Sequence, residues 1–161
     1  MADRYLSESF AVAARILVLN GPNLNMLGVR EPSLYGHQTL DDIREMCAAR
    51  AKALELDIDF RQSNHEGELV EWIQQARDTC AGIVINPAGF THTSVAILDA
   101  LLVSELPVIE VHISNIFRRE DFRGHSYVSQ AATGMITGMG AHGYVLALDG
   151  IAEIIASESK S

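Results

Sequence analysis

The sequence predicts an α/β domain built on a parallel sheet, and two observations carry that prediction. Short apolar segments alternate with amphipathic helical segments five times between residues 16 and 156. Such alternation implies right-handed βαβ crossovers, with helices on both faces of the sheet. The first apolar segment, residues 16–20, is a continuous run, as expected of a strand buried on both faces.

The elements follow in order. Residues 16–20 form the first strand and lead into a polar loop broken by glycine and proline, residues 21–36. Thr39 with Asp42 fits a capping box that opens a helix over residues 40–54, with Leu40, Ile43, Met46, Cys47 and Leu54 along one face. Leu56, Ile58 and Phe60 alternate with Asp57, Asp59 and Arg61, so the second strand is more exposed. A helix over residues 67–80 precedes a third strand, Gly82–Asn86, and a helix over 94–104 precedes a fourth over 106–113. Gly134–Thr137 reads as a short fifth strand and residues 144–156 as a closing helix, broken in register near Gly150. Five such units suit the flavodoxin-like doubly wound order. They make one domain over residues 15–161, behind an N-terminal tail of residues 1–14.

Composition narrows the partners. The 161 residues suffice for one domain with a substantial core. A net charge of −9 argues against nucleic acid, and no apolar run reaches the roughly 18 residues of a membrane span. Charges inside residues 1–14 speak against a secretory signal. Cys47 and Cys80 form no CxxC pair and read as buried small apolar side chains in helices, consistent with a reducing cytoplasm. Basic residues nevertheless cluster: Arg30 follows the first strand, and Arg118, Arg119 and Arg123 follow the fourth. That suits a small anionic ligand.

In open α/β sheets, ligands bind beyond the carboxyl ends of the strands. Strand one ends in Asn20-Gly-Pro-Asn23, strand two in Gln62-Ser-Asn-His65-Glu66, strand three in Asn86 to His92, and strand four in His112 to Asn115. All four polar clusters are expected on one rim. The loop after strand one lacks a Gly-Lys-Ser/Thr ending, so it is no P-loop. Gly138-x-Gly140-x-x-Gly143 comes too late for a dinucleotide-binding unit; its glycines are expected to let the last helix approach the sheet. Strand one ends in asparagines where a phospho-receiver would want acids, and there is no GxSxG elbow. His65, His92 and His112 lack metal-ligand spacing, so no metal is expected.

The remaining groups suit proton transfer. A phenol has an ordinary pKa of about 10, and a neighbouring guanidinium favours the phenolate, so Arg30 beside Tyr35 makes a usable base. Alternation places Glu110 and His112 on one side of their strand, where a carboxylate orients the imidazole. Asn86, Ser114 and the backbone around Ile113 suit a hydroxylated carboxylic acid, with Arg123 to hold a carboxylate or hydroxyl. The plainer alternatives are a surface loop for Arg30–Tyr35, a structural histidine for His112, and a binding or sensing domain without turnover.

Asn20-Gly-Pro-Asn-Leu-Asn, Arg30-Glu-Pro-x-x-Tyr35-Gly, Gln62-Ser-Asn-x-Glu-Gly, Asn86-Pro-x-x-x-Thr-His-Thr-Ser94 and Glu110-Val-His-Ile-Ser-Asn115 together resemble the type II 3-dehydroquinate dehydratases, over about residues 16–155. The resemblance implies conversion of 3-dehydroquinate to 3-dehydroshikimate, in shikimate biosynthesis or quinate breakdown, by anti elimination through an enolate. It implies no cofactor and no metal. Tyr35 would take the proton from C2, with Arg30 lowering its pKa, and Asn23 would hold a water that stabilises the enolate. His112 would protonate the departing C1 hydroxyl. Asn86, His92, Asp99, Ile113, Ser114 and Arg123 would bind substrate. Lys52 and Lys160, the only lysines, fall away from the rim, which fits an enolate route rather than the Schiff base of the unrelated type I enzymes. The loop over residues 24–36 is expected to act as a lid, and kinship implies a homododecamer. Phe117-Arg118-Arg119 departs from the His-Ala-Arg more usual in this family.

Overall fold

The computed structural model describes residues 12–29 and 31–161, so Arg30 lies outside the described residues. Strands β1 (Arg15–Asn20), β2 (Asp57–Gln62), β3 (Gly82–Asn86), β4 (Val108–His112) and β5 (Gly134–Thr137) form one parallel sheet in the order β2-β1-β3-β4-β5. This is the flavodoxin-like doubly wound order, and its strand direction of winding reverses between β1 and β3, where a ligand crevice is expected.

Alternation along the strands builds two apolar layers. Ile16, Val18, Val84, Ile109 and Val111 face Ile43 and Cys47 of α2 (Leu40–Ala53) and Tyr144, Leu148 and Ile151 of α5 (His142–Glu158). Leu17, Leu19, Ile83, Ile85 and Val108 face Leu69 and Ile73 of α3 (Glu66–Thr79) and Ile97 and Leu101 of α4 (Val95–Ser104). A short helix, α1 (Pro32–Tyr35), interrupts the loop after β1. The capping box at Thr39 and Asp42 is present in both directions, which fixes where α2 begins.

Three expectations need correction. Helix α5 runs without a break through Gly150; a Cβ there would lie 3.2 Å from Ile109 Cδ1, so the glycine marks close contact with the sheet rather than an interruption. Gly82 likewise lies where a Cβ would meet Ile151 at 2.9 Å. Of the Gly138–Gly143 set, Gly143 faces Val111 and Ile136, whereas Gly138 (φ +86) and Gly140 (φ +60) serve the turn into α5. Cys80 is the half-buried residue just past α3, and Cys47 is fully buried, with burial pushing its thiol up to about 12. No described helix is long and apolar enough to cross a membrane.

Candidate active site

The site begins where β1 and β3 end. Gly21 N–H donates to the Asn86 carbonyl at 2.8 Å, and a Cβ at Gly21 would collide with the Pro87 carbonyl, so the two strand ends are held at backbone contact. Asn23 follows in left-handed backbone (φ 67). Its N–H donates to Asn64 Oδ1 at 3.0 Å, and Gln62 Nε2 donates to the Gly21 carbonyl at 3.2 Å. The β2 cluster thus braces the β1 loop from outside. It stands on the expected rim with the other three clusters but does not line the cavity, which they do.

Leu24 and Leu27 are buried in the α2–α5 layer, which pins the first turn of the expected lid. The loop then reaches α1, and Tyr35 at its end points back over the crevice. Its hydroxyl accepts a 2.7 Å hydrogen bond from Arg119 Nη1, whose guanidinium carbon also lies 5.5 Å from the ring centroid. The pairing expected with Arg30 falls outside the described residues. Arg119, on the loop after β4, is therefore a site residue that sequence reasoning missed, although the arginine cluster containing it was visible.

Opposite the loop, the end of β4 carries Glu110 and His112. His112 Nε2 lies 2.6 Å from Glu110 Oε1, with Glu110 wholly buried and His112 only 4% exposed. Burial alone would raise the Glu110 carboxyl. The hydrogen bonds from His112, Thr91 and Ser126 outweigh it and hold the carboxyl below its ordinary 4.5. Thr91 stood in the Asn86–Ser94 motif without a role of its own, and Ser126, from a more distant segment, carried no sequence signal.

Asn86 and His92 are held by internal bonds. Asn86 Nδ2 donates to the Tyr144 hydroxyl at 2.9 Å, Tyr144 donates to Asn20 Oδ1 at 2.7 Å, and Asn86 Oδ1 accepts from Ala88 N–H at 3.1 Å. His92 Nδ1 lies 2.8 Å from the His125 carbonyl, which requires the proton on Nδ1. Burial pushes the His92 imidazole below its ordinary 6.5 despite that bond, and His112 and Arg123 push it the same way. The ring therefore offers a bare Nε2 at neutral pH.

A cavity of ≈ 150 Å³ unites these groups, lined by Asn23, Tyr35, Asn86, His92, His112, Ile113, Ser114, Arg119 and Arg123. Asp99 is not brought in; it sits exposed on α4. Lys52 borders a separate hollow beside Val12, and Lys160 lies beyond α5. Among the described residues, no three His, Cys, Asp or Glu side chains converge to hold a metal ion.

Comparison with known proteins places the family. The family described as dehydroquinase class II matches residues 14–152. A protein of Pseudomonas putida named 3-dehydroquinate dehydratase 2 is 64% identical over 140 residues, which span 87% of this chain and 94% of that one. The crystal structure of a type II dehydroquinase from Propionibacterium acnes superposes with a TM-score of 0.85 at 48% identity, covering 88% of this chain and 98% of that one. One from Butyrivibrio crossotus does so with a TM-score of 0.85 at 43% identity, covering 88% and 99%.

Proposed function

The chain belongs to the dehydroquinase class II family, and on that premise we propose that it removes water from 3-dehydroquinate to give 3-dehydroshikimate, in shikimate biosynthesis or quinate breakdown. The observation that carries this reading is the meeting of the Tyr35 hydroxyl and the His112 imidazole on one small cavity, the first beside a cation and the second backed by a buried carboxylate.

Tyr35, as phenolate, takes the proton from C2, and the electron pair moves onto the substrate carbonyl as an enolate. Arg119 stabilises negative charge on the tyrosine oxygen while that oxygen waits for the proton, and Arg30 shares this role by its place in the motif. Asn23 holds a water that donates to the enolate oxygen. Collapse of the enolate breaks the C1–O bond as His112 delivers a proton, and water leaves. His92 accepts from a substrate hydroxyl through its bare Nε2. Asn86 binds a second hydroxyl, and Arg123 with the Ile113–Ser114 segment takes the carboxylate. The route uses no Schiff base, metal or cofactor, and the elimination is anti.

Asp99 lies outside its own cavity, so its binding role requires a neighbouring copy. That fits a homododecamer, as does the exposed apolar side of α4 formed by Val95, Leu102 and Val103. Sedimentation velocity tests this, and a monomer would overturn it. The enzyme would work in the cytoplasm.

The deciding experiment adds 3-dehydroquinate and follows the near-ultraviolet absorbance of the conjugated enone. No absorbance growth would end the dehydratase reading. Loss of activity on borohydride treatment in the presence of substrate would replace the enolate route with an imine.

A further inference from the structure

Behind His112 the protein gathers more hydrogen-bond donors than orienting a histidine requires. Glu110 Oε1 is reached by Thr91 Oγ1 at 2.5 Å, Ser126 Oγ at 2.7 Å and His112 Nε2 at 2.6 Å. Glu110 Oε2 is buried with no partner among the described residues. Ser126 Oγ already accepts from Ser129 N–H at 3.0 Å, and Thr91 Oγ1 lies 3.1 Å from it. Each hydroxyl therefore has its one proton free to point at the carboxylate.

An uncharged Glu110 does not fit this arrangement. Its own proton would face donors on Oε1 and find no acceptor on Oε2. With two hydroxyl protons already on Oε1, a bare imidazole nitrogen at 2.6 Å would set lone pair against lone pair, so Nε2 must carry a hydrogen. His112 Nδ1 makes no hydrogen bond to the described residues, and the ring lines the cavity.

We propose that Thr91 and Ser126 are positioning residues for proton delivery: their hydroxyls keep Glu110 Oε1 an acceptor only, which fixes hydrogen on His112 Nε2 and makes Nδ1 the atom that hands a proton to the departing oxygen. The proposal deepens the dehydratase reading and rests on it. The doubly protonated ring gives up its Nδ1 hydrogen as the C1–O bond breaks, remains neutral with hydrogen on Nε2, and is recharged once product leaves by the proton that Tyr35 took from C2, relayed through solvent. The charged and titratable groups around the ring are Glu110 on its own strand, His92 after β3, Tyr35 from α1, and Arg119 and Arg123 after β4. Glu110 is the anion hydrogen-bonded to the ring.

The test compares wild type with Ser126→Ala, Thr91→Val, the double variant and Thr91→Ser, which restores the hydroxyl. We expect each hydroxyl loss to lower kcat by about tenfold with KM nearly unchanged, a fraction of what a general acid supplies. The alkaline limb of the kcat–pH profile should move to higher pH, because a carboxylate that has lost a donor is more basic and holds the protonated ring more strongly. Thr91→Ser should recover both. Unchanged kcat, a fall in kcat with an unmoved profile, or Thr91→Ser no better than Thr91→Val would overturn the proposal and leave the hydroxyls a packing role. Solid-state NMR of ¹⁵N-histidine enzyme, assigned with His112→Asn, reads the ring without turnover. Neutral His112 should hold hydrogen on Nε2 in wild type and show a mixed population in the double variant; hydrogen on Nδ1 in wild type would overturn the assignment. If wild type fails to dehydrate 3-dehydroquinate, the function reading falls, while these spectra still judge the hydroxyl clamp.

Discussion

The two halves of the cavity are built in opposite ways. The half around His112 is the end of an interior strand: Val108–His112 is buried throughout, and Glu110 behind it takes three hydrogen bonds on one oxygen. The half around Tyr35 rides on a four-residue helix with no buried residue, entered through Glu31 in left-handed backbone (φ 40). Arg119 links that helix to the strand side. An acid must keep its proton on one atom until the bond breaks, so it belongs where nothing moves. A base that covers the crevice lies across the path of the substrate, and an exposed segment suits it.

The largest effect should come from removing the base. Tyr35→Phe is expected to lower kcat by about 10³-fold, within the range for a general base, while a substrate analogue measured by calorimetry binds nearly as before. Near-normal turnover would take Tyr35 out of the mechanism. Next, Arg119→Lys and Arg30→Lys ask which guanidinium serves the tyrosine. Each replaces a delocalised fork with a point charge on a different stem, and we expect about 10²-fold losses in kcat from both. If Arg119→Lys behaves like wild type, Arg30 serves alone and the 2.7 Å contact is incidental.

A smaller effect separates the halves by stability. The folded Glu110 carboxyl lies below 4.5, so its contribution to stability is present above that pH and is lost as pH falls through the folded value. Urea midpoints from about pH 6 to about pH 3 should fall more steeply for wild type than for Glu110→Gln. Parallel curves would mean that the carboxyl is not held low. The smallest effect on catalysis should come from Tyr144→Phe, which leaves the buried amides of Asn20 and Asn86 without their shared hydroxyl. Calorimetry should show about 2 kcal/mol lost and Tm lowered by roughly 4–8 °C, with kcat nearly unchanged and KM raised. A large fall in kcat would make Tyr144 part of proton transfer.

The rigid half was the more legible in sequence. A continuous apolar run at residues 16–20 and the Glu110–His112 spacing depend only on strand periodicity, and both became buried structure. Gly150 was misread because sequence marks glycine as a break, while here it makes room for Ile109. The β2 cluster reaches the expected rim but stands behind the β1 loop, since the reversal of winding puts the crevice between β1 and β3. Ser126 was hidden, and the roles of Thr91 and Arg119 with it, for a different reason. Their work depends on contacts across 16, 19 and 84 residues of chain, and nothing local distinguishes a hydroxyl or guanidinium that will make them.

Gly21 carries a last consequence. Because its amide is bonded to Asn86 and no side chain fits against Pro87, the roots of the base loop and of the turn bearing His92 behave as one piece. The sheet cannot part there to let a ligand in or out. Whatever opens must open beyond Leu27, which is itself buried. On the reading of that loop as a lid, the traffic of substrate and product would fall to about ten residues of chain, and viscosity or loop shortening should alter its tempo without touching the chemistry at β4.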